Sequence, residues 1–193
     1  MSNNKLNLHE ILSTALKLFI ITAITCVSLC LVNSVTQPIA EQLESEKVMD
    51  SVRALINEES YTIDEVDGFS DESIEKIYKI SSTNDGSLIC YCIKSSEKGY
   101  GGAINLMVRV NASGSIGGVK VISASETPGI GQKALEPAFL DRFNGKSGSV
   151  ALGEGGLTAL TGATITSKAV TKSINHVLEV FDMLKEAETN EIN

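Results

Sequence analysis

The sequence has no tryptophan, and Phe and Tyr together bring its aromatic content to only 5%. Base-stacking platforms for single-stranded nucleic acid depend on such rings. It also lacks a cationic cluster: 16 Lys and Arg stand against 24 Asp and Glu, for a formal net charge of −8. Affinity for nucleic acid rests on neutralising phosphates, so a nucleic-acid partner is set aside. Histidine is scarce. His9 precedes a long apolar run and His176 falls in a helix-like stretch, so no Ser-His-Asp constellation can be assembled and no catalytic residue is assigned. The cysteines come as Cys26 with Cys30 and Cys90 with Cys92, and neither pair has the spacing of a zinc site. No metal ligand is assigned. Cys90 and Cys92 fall in a strand-like run and point to one sheet face, where they read as buried free thiols.

Charge is wholly missing between Leu18 and Ala40. An uncharged run of this length meets the ~20 residues that a helix needs to span the hydrocarbon core. Thr22, Thr25 and Ser28 are tolerable within it, because their hydroxyls can bond back to the preceding turn. The run is long for a signal-peptide core, and Asn33-Ser34-Val35 is a poor cleavage site, so it reads as a retained anchor. Lys5 and Lys17 before it, and the short tail they lie in, point to a cytoplasmic N-terminus. The expected organisation is a cytoplasmic N-terminus at 1–17, a transmembrane helix at 18–40, a helical and acidic connector at 41–73, a folded domain at 74–185 and an acidic, frayed tail at 186–193.

After Pro38, where a break or kink is expected, Leu43, Val48, Met49, Val52, Leu55 and Ile56 recur at helical intervals. Ser60 to Ser73 carries few signals. Short strands then alternate with turns: Ile77–Ile80, Leu88–Ile93, Ile104–Val110 and Ile116–Ala124, separated by Asn84-Asp85-Gly86, by Gly99-Tyr100-Gly101-Gly102 and by 111–114. A short helix is expected from Leu135 through Phe143, and a turn from Gly153 to Gly156. The closing helix would bury Ala169, Val170, Ile174, Val177, Leu178 and Phe181. The fold class is α+β, with a mainly antiparallel sheet and flanking helices behind a single N-terminal transmembrane helix.

Two segments carry chemistry. Thr161-Gly162-Ala163-Thr164-Ile165-Thr166-Ser167-Lys168 is a turn of small and hydroxyl residues that runs into a helix. Such a helix start offers unpaired amides and the positive end of a dipole, which suit a phosphate. Gly162 and Ala163 leave room for a bulky group, and Lys168 could add a cation. Read alone, the segment is as readily a helix cap by Thr164, Thr166 or Ser167. Glu126-Thr127-Pro128-Gly129-Ile130-Gly131 is a proline-set turn between polar groups. Neither segment matches a Walker A or Rossmann pattern.

Taken together, the two segments resemble the G subunit of the Rnf ferredoxin:NAD⁺ oxidoreductase complex, and more distantly the C subunit of sodium-pumping NADH:quinone oxidoreductase. Glu126 to Gly131 is similar to that family's Glu-Thr-Pro-Gly-hydrophobic-Gly signature, and Phe143-Asn144-Gly145-Lys146 follows it. Thr161-Gly162-Ala163-Thr164-x-Thr166 is similar to its flavinylation motif. The resemblance implies an FMN-binding domain at 74–185 in an electron-relay subunit, not a complete enzyme alone. It implies FMN joined by a phosphoester to a threonine, which maps to Thr164, with Thr166 as the fallback. Thr161, Gly162, Ala163, Lys168, Glu126, Thr127 and Gly129 are the accompanying cofactor-binding candidates, with Thr127 as a hydrogen-bond donor to the flavin. Expected partners are the other Rnf subunits, a flavin transferase and membrane lipid, and the folded domain would lie outside the cytoplasm. The family often has Asp where this chain has Thr158. The alternatives are a stand-alone extracytoplasmic flavin reductase and a non-redox binding domain.

Overall fold

The computed structural model describes residues 8–67, 71–153 and 156–191. Lys5, residues 68–70 of the acidic connector, Glu154 and Gly155 of the expected turn, and the last two residues lie outside them. Leu8–Leu55 form one α-helix, α1, and the chain divides within it into two compact units, Met1–Glu46 and Lys47–Asn193.

In the first unit the helix is apolar around its whole circumference. Leu12, Leu16, Leu18, Phe19, Ile21, Ile24, Leu29, Leu31 and Val35 are all exposed. A helix that is apolar on every side is suited to lipid or to apolar neighbours, not to water. It is long and apolar enough to cross a membrane, and an 18-residue stretch of it has a mean hydropathy of 2.4. Its hydroxyls are absorbed internally: Thr22 Oγ1 donates to the Leu18 carbonyl at 3.1 Å, Thr25 Oγ1 to Ile21 at 2.8 Å and Ser28 Oγ to Ile24 at 2.8 Å. Pro38 lies inside the helix and does not end it. The expected break is therefore absent, and the amide that proline lacks leaves only one carbonyl of the ladder unanswered.

The second unit is built on a five-stranded antiparallel sheet in the order β1-β2-β3-β4-β5. The strands are β1 (Tyr61–Glu65), β2 (Ile74–Ser82), β3 (Leu88–Lys98), β4 (Ala103–Asn111) and β5 (Ile116–Ala124). Each pairs with its predecessor, so every connection is local. Alternation along the strands sends side chains to two cores. On one face Tyr91, Ile93, Ile104, Leu106, Val108 and Val110 pack against Val170, Ile174, Val177 and Phe181 of α3 (Thr164–Glu191). On the other, Tyr78, Ile80, Cys90, Cys92 and Met107 meet Val48, Val52 and Ile56. The sheet is thus covered on both sides. Cys90 and Cys92 are buried and free, on one face as their spacing requires.

Three expectations are corrected. The quiet stretch after Ser60 contains β1, an edge strand with a half-exposed pattern. The helix expected from Leu135 through Phe143 is instead three short pieces: a 3₁₀ turn at Gly131–Leu135, α2 at Pro137–Leu140 and a second 3₁₀ turn at Asp141–Phe143. Pro137 explains the first division, because Glu136 before it is held extended at ψ 150°. The tail after Lys185 stays helical to Glu191. Tyr91 Oη donates to Glu188 Oε1 at 2.7 Å, and Lys79 Nζ pairs with the same carboxylate.

Candidate functional site

The site forms where two similar turns meet. In the first, the Ile130 amide donates to the Thr127 carbonyl at 3.3 Å, with Pro128 second and Gly129 third at φ +77°. In the other, the Ala163 amide donates to the Leu160 carbonyl at 2.9 Å, with Gly162 third at φ +82°. Both are type II patterns, which need positive φ at the third residue and therefore glycine. The second turn launches α3. Its first intrahelical bond runs from the Ser167 amide to the Ala163 carbonyl at 2.8 Å. The amides of Thr164, Ile165 and Thr166 precede that bond and have no intrahelical partner. Ala163 has no side-chain oxygen to cap them, and alanine is a poor residue at this position. The capping reading of the threonines fails here, because they lie inside the helix and not ahead of it.

A cavity of about 270 Å³ lies over this helix start, lined by Tyr100, Ile130, Gly162, Ala163, Thr164, Ile165 and Thr166. The two threonines differ sharply. Thr164 is exposed, whereas Thr166 is 1% exposed and its Oγ1 is buried without a hydrogen-bond partner. A buried, unpartnered hydroxyl costs roughly 1–3 kcal/mol, so its position calls for a ligand group or water.

Glu126 organises the neighbouring loop. Its carboxylate is buried, and it accepts from the Tyr100 amide at 2.8 Å and the Gly101 amide at 3.3 Å. Gly131 lets this arrangement meet α3. A Cβ there would stand 2.0 Å from Glu126 Oε2 and 2.8 Å from Thr166 Oγ1. Gly99 does the same on the other side, at 2.0 Å from Glu126 Oε1.

The motif residues are therefore divided. Gly162, Ala163, Thr164 and Thr166 line the cavity, and Glu126 lies behind it. Thr161, Thr127 and Gly129 are exposed on the turns and do not line it. Lys168 faces a separate groove of about 450 Å³ with Lys172, Asn175 and His176. His176 is engaged there, with Nε2 2.9 Å from Asp71 Oδ1. Thr158 is exposed. Sequence reasoning missed Tyr100, Ile130 and Ile165 as lining residues. The available signal was a large apolar residue between glycines, as in Gly99-Tyr100-Gly101 and Gly129-Ile130-Gly131.

Residues 99–179 match the FMN-binding domain family, a span that runs from the Tyr100 loop through most of α3. The G subunit of the proton-translocating ferredoxin:NAD⁺ oxidoreductase complex of Clostridium ljungdahlii is 32% identical over 151 residues, covering 75% of this chain and 77% of that protein. Its counterpart in the Na⁺-translocating ferredoxin:NAD⁺ oxidoreductase complex of Acetobacterium woodii is 30% identical over 188 residues, covering 86% and 89%. This chain belongs to the family of G subunits of ion-translocating ferredoxin:NAD⁺ oxidoreductase complexes. The crystal structure of NqrC from Shewanella oneidensis is also similar, at 25% identity and a TM-score of 0.47, covering 64% of this chain and 65% of that one. Membership in this family, with the apolar helix in α1, makes the chain a membrane-associated protein with an FMN-binding domain.

The residues present fit FMN. Unpaired amides at a helix start suit its phosphate, the orphaned Thr166 hydroxyl supplies a further donor, and Tyr100, Ile130 and Ile165 supply apolar surface.

Proposed function

We propose that this chain is the electron-relay subunit of a multisubunit ion-translocating ferredoxin:NAD⁺ oxidoreductase, with FMN held covalently through its phosphate on Thr164. The observation that carries the assignment is the contrast between the two threonines. Thr164 offers an accessible hydroxyl beside the cavity, whereas Thr166 has its oxygen buried and would have to leave the core to be modified. Bound flavin supplies one- and two-electron transfer. The chain's own residues hold and orient it. The amides of Thr164 to Thr166 and the positive end of α3 would hold the phosphate, with the orphaned Thr166 hydroxyl beneath them. Gly162 and Ala163 keep the approach open, and Glu126 fixes the Tyr100 loop that forms the opposite wall.

The partners that follow are the other subunits of such a complex, membrane lipid around α1, and a flavin transferase that makes the ester. The N-terminus is cytoplasmic and the folded unit extracytoplasmic, with one membrane crossing. A flavin outside the membrane has no cytoplasmic pool to replace it, so a covalent tether is the arrangement that keeps the site loaded.

The test is intact mass after coexpression with the transferase, read beside flavin fluorescence of the denatured gel band. The wild-type chain is expected to gain one FMN less water and to fluoresce. Thr164→Ala is expected to abolish both signals, and Thr166→Ala to keep the added mass. Loss of the adduct in Thr166→Ala with retention in Thr164→Ala would move the site to Thr166. A dark, unmodified wild-type chain would remove the covalent reading.

A further inference from the structure

Apolar side chains surround α1, but its few amide and thiol groups share one side. Thr22, Cys26, Cys30, Asn33, Gln37 and Glu41 follow one another at steps of three or four residues, the spacing that keeps side chains on one face of a helix. Ile21, Ile24, Val32, Val35 and Ile39 lie on the opposite side, all exposed. Ser28 lies among them, but its hydroxyl is turned onto the Ile24 carbonyl at 2.8 Å.

The hydroxyls of this stretch need nothing from outside the helix, because Thr22, Thr25, Ser28 and Ser34 each donate to a carbonyl one turn earlier. The amides differ. Asn33 Nδ2 donates to Gln37 Oε1 at 3.3 Å, and Gln37 Nε2 donates to Glu41 Oε1 at 2.9 Å. A primary amide has two N–H donors and a carbonyl acceptor. Among the described residues, this ladder therefore leaves the Asn33 carbonyl oxygen and one N–H of each amide without a protein partner. Depth makes that matter. No charge occurs from Leu18 to Ala40, and a helix crosses the ~30 Å hydrocarbon core in about 20 residues. A crossing that starts at Leu18 still contains Asn33. Water is absent there, and polar side chains at such depth face other helices instead of lipid. Thr22, Cys26 and Cys30 are small beside Ile and Leu, so a second backbone can come close along the same side.

We propose that the side of α1 bearing Cys26, Cys30, Asn33 and Gln37 is the docking surface for a transmembrane helix of another subunit. That helix answers the two amides with a hydrogen-bonding side chain and Glu41 with a basic one. The inference rests on the reading of α1 as a membrane crossing in a multisubunit complex. Charge selects this occupant over a second copy of the chain. Two copies would cross in the same direction, so packing through this side would set Glu41 against Glu41, with Glu44 three residues on along the same side. Like charges at the low-dielectric edge of a membrane repel. Glu41 is exposed and its described contact is the Gln37 amide, so its charge is open to a cation from outside the chain. The branched aliphatic side is left to lipid.

The test uses the full chain with an affinity tag, coexpressed with the integral subunits of its complex and solubilised in mild detergent. Copurified subunits are identified and quantified by mass spectrometry, and limited proteolysis reports the folded unit separately. Asn33→Leu combined with Gln37→Leu should stay in the membrane, keep the wild-type proteolysis pattern and lose the integral subunits several-fold. Ile24→Leu combined with Val35→Leu, on the opposite side, should change none of these. Photo-crosslinking separates docking from a folding defect. Benzoylphenylalanine in place of Cys30, or of Phe19 three residues before Thr22 on the same side, should form an adduct with an identified integral subunit. The same probe at Ile24 or Val35 should not. A double amide variant that holds the subunits as wild type does, or adducts that form equally from both sides, overturns the assignment and leaves the complex standing. An adduct of twice the chain's mass from Phe19 or Cys30 overturns it in favour of a second copy. A wild-type chain that brings down no integral subunit overturns the complex itself.

Discussion

Single residues decide whether the two halves of the site can meet, and Gly131 is the tightest of them. Its φ is ordinary, so its role is space and not conformational freedom. The Cβ of an alanine would come within 2.0 Å of a Glu126 oxygen, 2.7 Å of the carboxyl carbon and 2.8 Å of Thr166 Oγ1. Neither neighbour can yield cheaply: Glu126 is bonded to two amides, and Thr166 is buried in α3. Overpacking of this sort costs about 1–3 kcal/mol. Gly131→Ala is expected to lower the urea midpoint by that order and to slow flavin incorporation by the transferase. Gly129→Ala makes a useful contrast, since nothing lies within 4 Å of its added carbon and only its positive φ resists. A Gly131→Ala chain that unfolds and loads like wild type would show that the packing relaxes easily. At this scale the sequence was legible in part. The hydroxyls and glycines could be read from Thr161 to Thr166, because turn chemistry is local. That Thr166 is buried and Thr164 is not depends on which way α3 faces the sheet, and that is decided by tertiary packing.

At the scale of elements, strong periodicity was legible and weak periodicity was not. β5 appears over the expected Ile116–Ala124, because alternation between two glycine-bearing turns leaves little freedom. β1 was hidden, since an edge strand with one half-buried side needs few apolar residues. What joins α1 to the sheet was hidden too, because it depends on a buried Arg109 in the middle of an apolar strand. Its Nη1 donates to the Leu55 carbonyl at 2.7 Å, its Nη2 pairs with Glu58 Oε1 at 2.9 Å, and its Nε donates to Asn111 Oδ1 at 3.1 Å. The guanidinium thus caps the last carbonyl of α1, that of Leu55, where a cation is favoured. Partial burial alone would raise the Glu58 pKa, but the hydrogen bond and charge of Arg109 outweigh it and hold the carboxyl below its ordinary 4.5. The linkage has a definite sign. A carboxylate with a depressed folded-state pKa contributes stability above its unfolded value, and that contribution is lost as pH falls through the folded one. Stability of the wild-type chain should therefore decline below about pH 4.5, and Glu58→Gln should flatten part of that decline. Arg109→Met is expected to cost about 1.5–3 kcal/mol at neutral pH through the lost charged hydrogen bonds. Denaturant midpoints across pH 3 to 7 measure both effects. Parallel pH profiles for wild type and Glu58→Gln would show that the pair is not coupled to folding.

For the whole molecule, the boundary between the two units lies beyond the end of the uncharged run. The uncharged run stops at Ala40, yet the division falls between Glu46 and Lys47, inside a helix that continues to Leu55. The reason lies in the second core. Val48, Val52 and Ile56 bury their side chains against Tyr78, Ile80, Cys90, Cys92 and Met107, so the last turns of α1 belong energetically to the folded unit. Burying each of these aliphatic side chains contributes on the order of 1.5–3 kcal/mol. Together they approach the whole stability of a small domain, which is about 5–15 kcal/mol. Two truncations separate the roles of the helix. A chain starting at Lys47 keeps the second core and discards the exposed apolar surface. It is expected to dissolve without detergent, unfold cooperatively and accept flavin from the transferase. A chain starting at Asn57 exposes one whole face of the sheet, including the Met107 side and the apolar residues of β2 and β3. It is expected to aggregate or to unfold at a far lower urea concentration, although Thr164 and its cavity are formed by other residues. If the chain starting at Asn57 were as stable as the one starting at Lys47, the end of α1 would be packing without consequence, and the folded unit would begin after it.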